Sequence, residues 1–209
     1  MKKYKIIILT NGKFSYYVLK SLYKKYKIKG IITNKNNIKK KNSLTNFIKK
    51  KNIKCFYDKY INNKYKIISF LKKKKPDILI CISFKYIKKY IYDFPKYGTL
   101  NIHPSLLPKY IGPNPIRYAI LNNDKYTGIS ILKINNNIDK GNILIQKKIK
   151  IKFNDNYYTL FKKLSYYSAF LLKKILYKIF NKKKINNVII NKKKYTYTYK
   201  TFYKDGKIN

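Results

Sequence analysis

The chain of 209 residues holds a single histidine, and it lies in the run Asn101-Ile102-His103. If that run is extended, strand alternation turns the carboxamide and the imidazole to the same side. Imidazole is the side chain whose unperturbed charge change falls nearest neutral pH, and a carboxamide brings two N–H donors and an acceptor. Together they suit proton transfer and the stabilisation of charge developing on an oxygen. By itself a lone histidine is ordinarily a hydrogen-bonded core or surface residue. The surroundings of this one speak for chemistry: Pro104, Pro108, Pro113 and Pro115, four of the six prolines in the chain, follow it, and Gly98 and Gly112 share the stretch. Such punctuation in a chain otherwise poor in it marks an ordered loop with a demanded backbone shape. Loops held by a rigid scaffold commonly carry function.

From Leu100 to Gln146 the sequence reads LNIHPSLLPKYIGPNPIRYAILNNDKYTGISILKINNNIDKGNILIQ. This run resembles the signature of the formyltetrahydrofolate-dependent formyltransferases, with the asparagine, the histidine, SLLP, the following glycine and a later Asp-x-Gly all at that family's spacing. Taken alone, Asp139, followed by Lys140 and Gly141, is a plain turn residue. The resemblance implies instead that Asn101 and His103 at a strand end and Asp139 on a neighbouring loop are the catalytic residues. It also implies that Ser105, Leu106, Leu107 and Pro108 border the site of the co-substrate 10-formyltetrahydrofolate, with Phe84 as a further contact. The residue types suit such a reaction: an amine attacks the formyl carbon, two N–H donors hold the charged oxygen, and a carboxylate keeps the imidazole charged and takes the proton that the amine sheds. No metal is expected, because one histidine and no CxxC pair give too few of the usual zinc ligands.

The family includes enzymes acting on methionyl-tRNA, on sugar nucleotides and on glycinamide ribonucleotide. Three features resemble the first group. GPNPIRYAI after SLLP is similar to its glycine-x-x-proline-isoleucine pattern; the lysine-rich segment Lys35 to Lys41 stands where that group has a basic, acceptor-stem-binding loop; and YTYTYKTFYKDGKIN at the end is similar to the linker after its catalytic domain. Lys39, Lys40 and Lys41 become the tRNA-binding candidates and initiator methionyl-tRNA the expected partner of a monomeric enzyme. Two places depart from the family pattern: Thr10-Asn11-Gly12 replaces a glycine-threonine-proline turn, although Phe14 is kept, and Lys85 replaces a glycine beside Phe84. The tRNA enzymes continue into a C-terminal β-barrel where this chain stops, so a shortened form is expected.

The elements that must hold these residues follow from hydrophobic patterning. Short apolar runs at Tyr4 to Leu9, Ile28 to Thr33, Ile53 to Tyr57 and Ile78 to Ser83 alternate with amphipathic stretches. That rhythm predicts an α/β, Rossmann-like, doubly wound and mostly parallel sheet with its ligand beyond the carboxyl ends of the strands. Helices are expected from Ser15 to about Tyr26, from a cap at Ser43 to about Lys51, through Phe70, and from Tyr157 to Phe180; Tyr126 to Ile134 and Ile143 to Ile151 read as further strands. Residues 1–182 form one catalytic domain in this reading, and 183–209 an extended, linker-like tail with a strand at Val188 to Ile190.

Composition bounds the rest. The net charge of +44 would ordinarily point to a polyanion. Here it comes from lysine almost alone, with Arg117 the only arginine and no glutamate, and Lys, Asn, Ile, Tyr and Phe are residues written with A and T. Genome composition and RNA contact therefore share the charge. A basic RNA-binding protein without catalysis is the reading from another class, and it supplies no reason for the Asn101, His103 and Asp139 combination. Cys55 and Cys81 sit in apolar surroundings as small core residues, which leans to a reducing compartment, cytoplasm or organelle matrix. No run is long enough for a membrane span.

Overall fold

We describe residues 4–39, 41–84, 86–190 and 195–199 from a computed structural model. Lys40, Lys85, Lys192 to Lys194 and the chain from Lys200 onward lie outside the described residues, so the parts of the basic loop and of the linker motif that fall there are left aside.

The chain runs β1 (Lys5–Thr10), α1 (Ser15–Tyr23), β2 (Lys27–Thr33), α2 (Lys35–Lys39), α3 (Ser43–Lys50), β3 (Cys55–Tyr57), α4 (Lys64–Lys74), β4 (Ile78–Ile82), α5 (Lys89–Tyr92), β5 (Thr99–His103), α6 (Pro115–Leu121), β6 (Tyr126–Lys133), β7 (Ile143–Lys150) and α7 (Tyr157–Phe180). One sheet of seven strands forms in the order β3-β2-β1-β4-β5-β6-β7. The pairs from β3 to β5 are parallel, and β6 and β7 are antiparallel additions. This is the doubly wound, mostly parallel sheet that the sequence predicts.

Parallel strands covered on both faces must be apolar throughout, and β1 and β4 are. Ile6 and Ile8 of β1, with Ile78, Ile80 and Ile82 of β4, face one way into a core completed by Val18, Leu19 and Leu22 of α1 and Leu164, Leu172 and Ile175 of α7. Ile7, Leu9, Leu79 and Cys81 face the other way, against Ile67 and Leu71 of α4 and Ile91 of α5. The long α7 begins at a capping box, with the Asn156 side chain accepting from the Thr159 amide and the Thr159 hydroxyl answering. Its far end is fixed by Phe180, which stacks on Tyr4 with ring centroids 3.7 Å apart.

Two expectations need correcting. Asn42, not Ser43, caps α3: its side chain accepts from the Leu44 and Thr45 amides. Val188 to Ile190 is not a strand: the Val188 amide donates to the Ile143 carbonyl at 2.8 Å, and one bond is not a ladder. Val188, Ile190 and Tyr195 instead pack on a small cluster of Leu107, Ile111, Leu132 and Ile143. Among the described residues, no helix is long and apolar enough to cross a membrane.

Candidate active site

The sheet register explains why Asn101 and His103 share a place. Leu9, Cys81, Asn101 and Leu132 are successive partners across β1, β4, β5 and β6, so Asn101 continues a row on one face. Two residues on, His103 pairs with Ser130, which pairs with Gln146. An apolar row thus gives way to a polar one where β5 runs out into the proline-rich loop. Beyond it lies a cavity of about 630 Å³, lined by Cys81, Phe84, Asn101, His103, Asn114 and Asp139 among others. It opens at the carboxyl ends of β4 and β5, where a ligand is expected in an open α/β sheet, and its size suits a small organic molecule.

Asp139 reaches this place from the loop between β6 and β7, which brings the three expected catalytic side chains together. The Asn101 amide donates to Oδ1 of Asp139 at 2.8 Å, and the Gly112 amide donates to Oδ2 at 3.1 Å. Nδ1 of His103 stands 3.4 Å from the same Oδ2, and both side chains are largely buried. The opposite nitrogen, Nε2, lies 2.7 Å from the Tyr110 carbonyl. A carbonyl only accepts, so Nε2 carries a proton, and Nδ1 is the ring nitrogen left to face the carboxylate and the cavity. The Asn101 amide keeps a second N–H beyond the one given to Asp139.

The Asp-x-Gly spacing has a steric reason. A Cβ on Gly141 would stand 1.8 Å from the Lys133 carbonyl oxygen, so only glycine lets the loop fold back over the end of β6 and turn Asp139 inward. Asp139 itself adopts φ 53°, and Ser83, Tyr110 and Asn114 around the cavity are also left-handed, at 51°, 62° and 61°. Such conformations cost of order 1–3 kcal/mol each and persist only where surrounding structure enforces them.

Ser105, Leu106, Leu107 and Pro108 are not among the cavity-lining residues, whereas Pro104 is. The four form the support behind the wall. The buried Ser130 hydroxyl donates to the Ser105 carbonyl at 2.8 Å and accepts from the Leu107 amide at 3.1 Å, while the Gln146 amide donates to the Leu107 carbonyl at 3.0 Å. Phe84, by contrast, is on the wall. Sequence reasoning passed over Ser83, Tyr86, Asn114, Asn135 and Asn137, which also line the cavity. Nothing but a place next to a turn marks them, and this chain is full of asparagine.

Cys81 forms part of the floor. Burial pushes its thiol up to about 12, and the Asp139 charge adds to the effect. A neutral thiol is a poor nucleophile, which leaves the amide, the imidazole and the carboxylate as the candidate reactive groups. Among the described residues, no cluster of metal-binding side chains occurs.

Lys39 and Lys41 are exposed, Lys39 at the end of α2. That helix starts on the same edge of the sheet as the cavity: the Asn11 side chain accepts from the Asn34 amide at 2.8 Å, and the Asn11 amide donates to the carbonyl of cavity-lining Ser83 at 3.2 Å. The departing turn Thr10-Asn11-Gly12 closes on itself through the hydroxyls of Thr10 and Ser15, 2.9 Å apart.

A mostly parallel α/β sheet whose strand ends gather an amide, an imidazole and a carboxylate around a cavity has the build of an α/β enzyme. The chain belongs to the formyl transferase family, whose model matches residues 4–175. It is similar to a methionyl-tRNA formyltransferase of Ehrlichia ruminantium, 43% identical over 107 residues, which cover 51% of this chain and 35% of that one. It is also similar to the bifunctional polymyxin resistance protein ArnA of Wigglesworthia glossinidia brevipalpis, 36% identical over 178 residues, covering 82% of this chain and 27% of that one. Among solved structures it resembles an N-formyltransferase of Helicobacter canadensis in complex with folinic acid and dTDP-3-aminofucose. The TM-score is 0.71 at 26% identity, over 95% of this chain and 71% of that one. The match spans about a quarter to a third of the length of these two curated relatives.

Proposed function

We propose that the protein transfers the formyl group of 10-formyltetrahydrofolate to the amino group of methionyl-tRNA. The observation that carries the chemistry is the convergence of Asn101 and His103, from the end of β5, and Asp139, from the loop between β6 and β7, on one cavity. In this reading the amine nitrogen attacks the formyl carbon, the bond from that carbon to the folate nitrogen breaks, and the folate nitrogen takes a proton. The second N–H of Asn101 and an Nδ1–H of His103 hold the oxygen on which charge gathers. Asp139 faces the imidazole and receives the proton that the amine loses, directly or through a water. Phe84 and Pro104 offer apolar wall to the folate, and Ser105 to Pro108 keep that wall in place.

The acceptor is assigned from the GPNPIRYAI stretch, the exposed Lys39 and Lys41 on the cavity's edge of the sheet, and the identity to the Ehrlichia enzyme. The second reading, an amino sugar nucleotide as acceptor, is favoured by the likeness to the Helicobacter structure. The test is direct. The purified protein is incubated with formyltetrahydrofolate and either charged initiator tRNA, a dTDP-amino sugar or glycinamide ribonucleotide. Formylmethionine released from the tRNA is the expected product; formylation of only one of the other two acceptors overturns the assignment.

A further inference from the structure

Residues 195–199 lie against the loop that holds His103, far from it in sequence. The Tyr110 amide donates to Oγ1 of Thr196 at 2.8 Å across 86 residues. The Thr196 amide donates to the Pro108 carbonyl at 3.1 Å, and its carbonyl accepts from the Ile111 amide at 2.8 Å. Next to it, the Thr198 amide and hydroxyl both donate to the Ile111 carbonyl, at 2.8 and 3.0 Å. Gly112, at φ 106°, passes so close that a Cβ there would stand 2.8 Å from the Thr198 carbonyl oxygen. The same segment grips the other catalytic loop: Nζ of Lys140 donates to the Tyr197 hydroxyl at 2.9 Å and lies 5.0 Å from the Tyr195 ring centroid.

Apart from the bond to Pro108, each of these contacts falls within one residue of a group that touches the site. Tyr110 binds the strap through its amide and His103 through its carbonyl. Ile111 is clamped on both of its backbone groups, and the very next amide, that of Gly112, holds Asp139. Lys140 adjoins Asp139 in the chain. We infer that residues 195–199 are a positioning strap, with Thr196 and Thr198 setting the Tyr110 carbonyl and the Gly112 amide, and through them the separation of His103 from Asp139. The left-handed Tyr110 needs such an enforcer, and its ring supplies a second anchor: the hydroxyl donates to Asp124 at 2.8 Å and accepts from the Asn122 amide at 2.9 Å. The inference rests on the proposed chemistry of this site but not on the identity of the acceptor.

The single histidine makes the test clean, because every imidazole resonance in the protein is that of His103. In the full chain, Thr196→Val removes the Oγ1 acceptor at nearly constant shape, and Thr196→Ser keeps it. Thr196→Val is expected to shift the His103 ring 15N and 1H resonances and to lower kcat about tenfold or more while KM for the formyl donor stays within about twofold. Thr196→Ser restores both. Tyr197→Phe, which removes the hydroxyl that Lys140 donates to, gives a smaller loss of the same kind. Should Thr196→Val fail to fold, Thr196→Ala and Tyr197→Phe carry the same two readouts. A variant that lowers thermal stability but leaves the ring resonances and kcat at wild-type values overturns the strap. If the wild type does not formylate methionyl-tRNA, yet the ring resonances move in Thr196→Val and return in Thr196→Ser, the strap stands and the acceptor assignment falls.

Discussion

A carboxylate that accepts from an amide side chain and a backbone amide and faces an imidazole has almost every lone pair committed within the protein. Asp139→Asn therefore does more than remove a charge: it presents an N–H where a donor already points. His103→Ala removes the ring that Tyr110 and Asp139 fix between them. Each substitution is expected to cut turnover on the order of a hundredfold or more with the fold retained, because both residues serve one transition state. Single-turnover rates with near-ultraviolet circular dichroism as a folding control check this, and near wild-type rates in both variants would falsify the site. Cys81 gives a prediction with a sign. Its thiol rises from 9.0 to about 12 in the folded chain, so between those values the unfolded chain has lost a proton that the native one keeps. Native Cys81 thus contributes stability fully present below pH 9 that declines as pH climbs towards 12. Urea unfolding of wild type and Cys81→Ala across that range should show the steeper alkaline decline in the wild type. Equal slopes would contradict it.

Secondary structure was legible wherever apolar period and element agreed. KIIIL and ILICI announce β1 and β4, and the bounds of α7, Tyr157 to Phe180, follow from its repeating apolar stripe. The sequence hid α2 and α6. KNNIK has no stripe, and PIRYAIL follows a run of prolines that reads as loop. Local chemistry misleads in the same way at α3, where serine and asparagine are both good caps and tertiary placement chose Asn42. The grouping of Asn101, His103 and Asp139 was legible through motif spacing, whereas the contacts of residues 195–199 were not: their bonds join two polar segments 86 residues apart and leave no periodic trace. At this scale the SLLP segment is an element held by polar bonds to β6 and β7. Ser130 is fully buried and serves the Ser105 carbonyl and the Leu107 amide together. Ser130→Ala strands both and is expected to cost about 1–3 kcal/mol, read as a lower urea midpoint at unchanged slope. A change within a few tenths of a kcal/mol would show that Gln146 or water takes over.

Across the whole molecule lysine supplies all but one of the basic side chains behind the net charge of +44. Lysine is a mobile point charge without the fork of arginine, so affinity for tRNA is expected from bulk attraction, with discrimination left to the acceptor end and the methionyl group. Binding should weaken about ten- to a thousandfold from low to physiological salt. Replacing Lys39, Lys40 and Lys41 together by serine is expected to lower tRNA affinity and flatten the salt slope while leaving formyl-donor binding alone. Filter binding across a salt series decides it, and a slope indifferent to the triple change shows those lysines to be ordinary solvated surface.

The close fit of Thr198 over Gly112 also bears on the order in which the molecule comes into being. Synthesis runs from the amino terminus, and the sheet, the cavity and all three reacting side chains have been made once Lys150 has emerged. The loop carrying Tyr110 and Gly112 then has its partners His103, Asn122, Asp124 and Asp139 but still lacks Thr196 and Thr198, which follow the whole of α7. On the strap inference, a nascent chain can possess every atom of Asn101, His103 and Asp139 before the contacts from residues 196–198 that position them exist. If residues 195–199 position the site as inferred, its geometry is complete only once residues 196–198 dock on strands and helices that precede them in the chain.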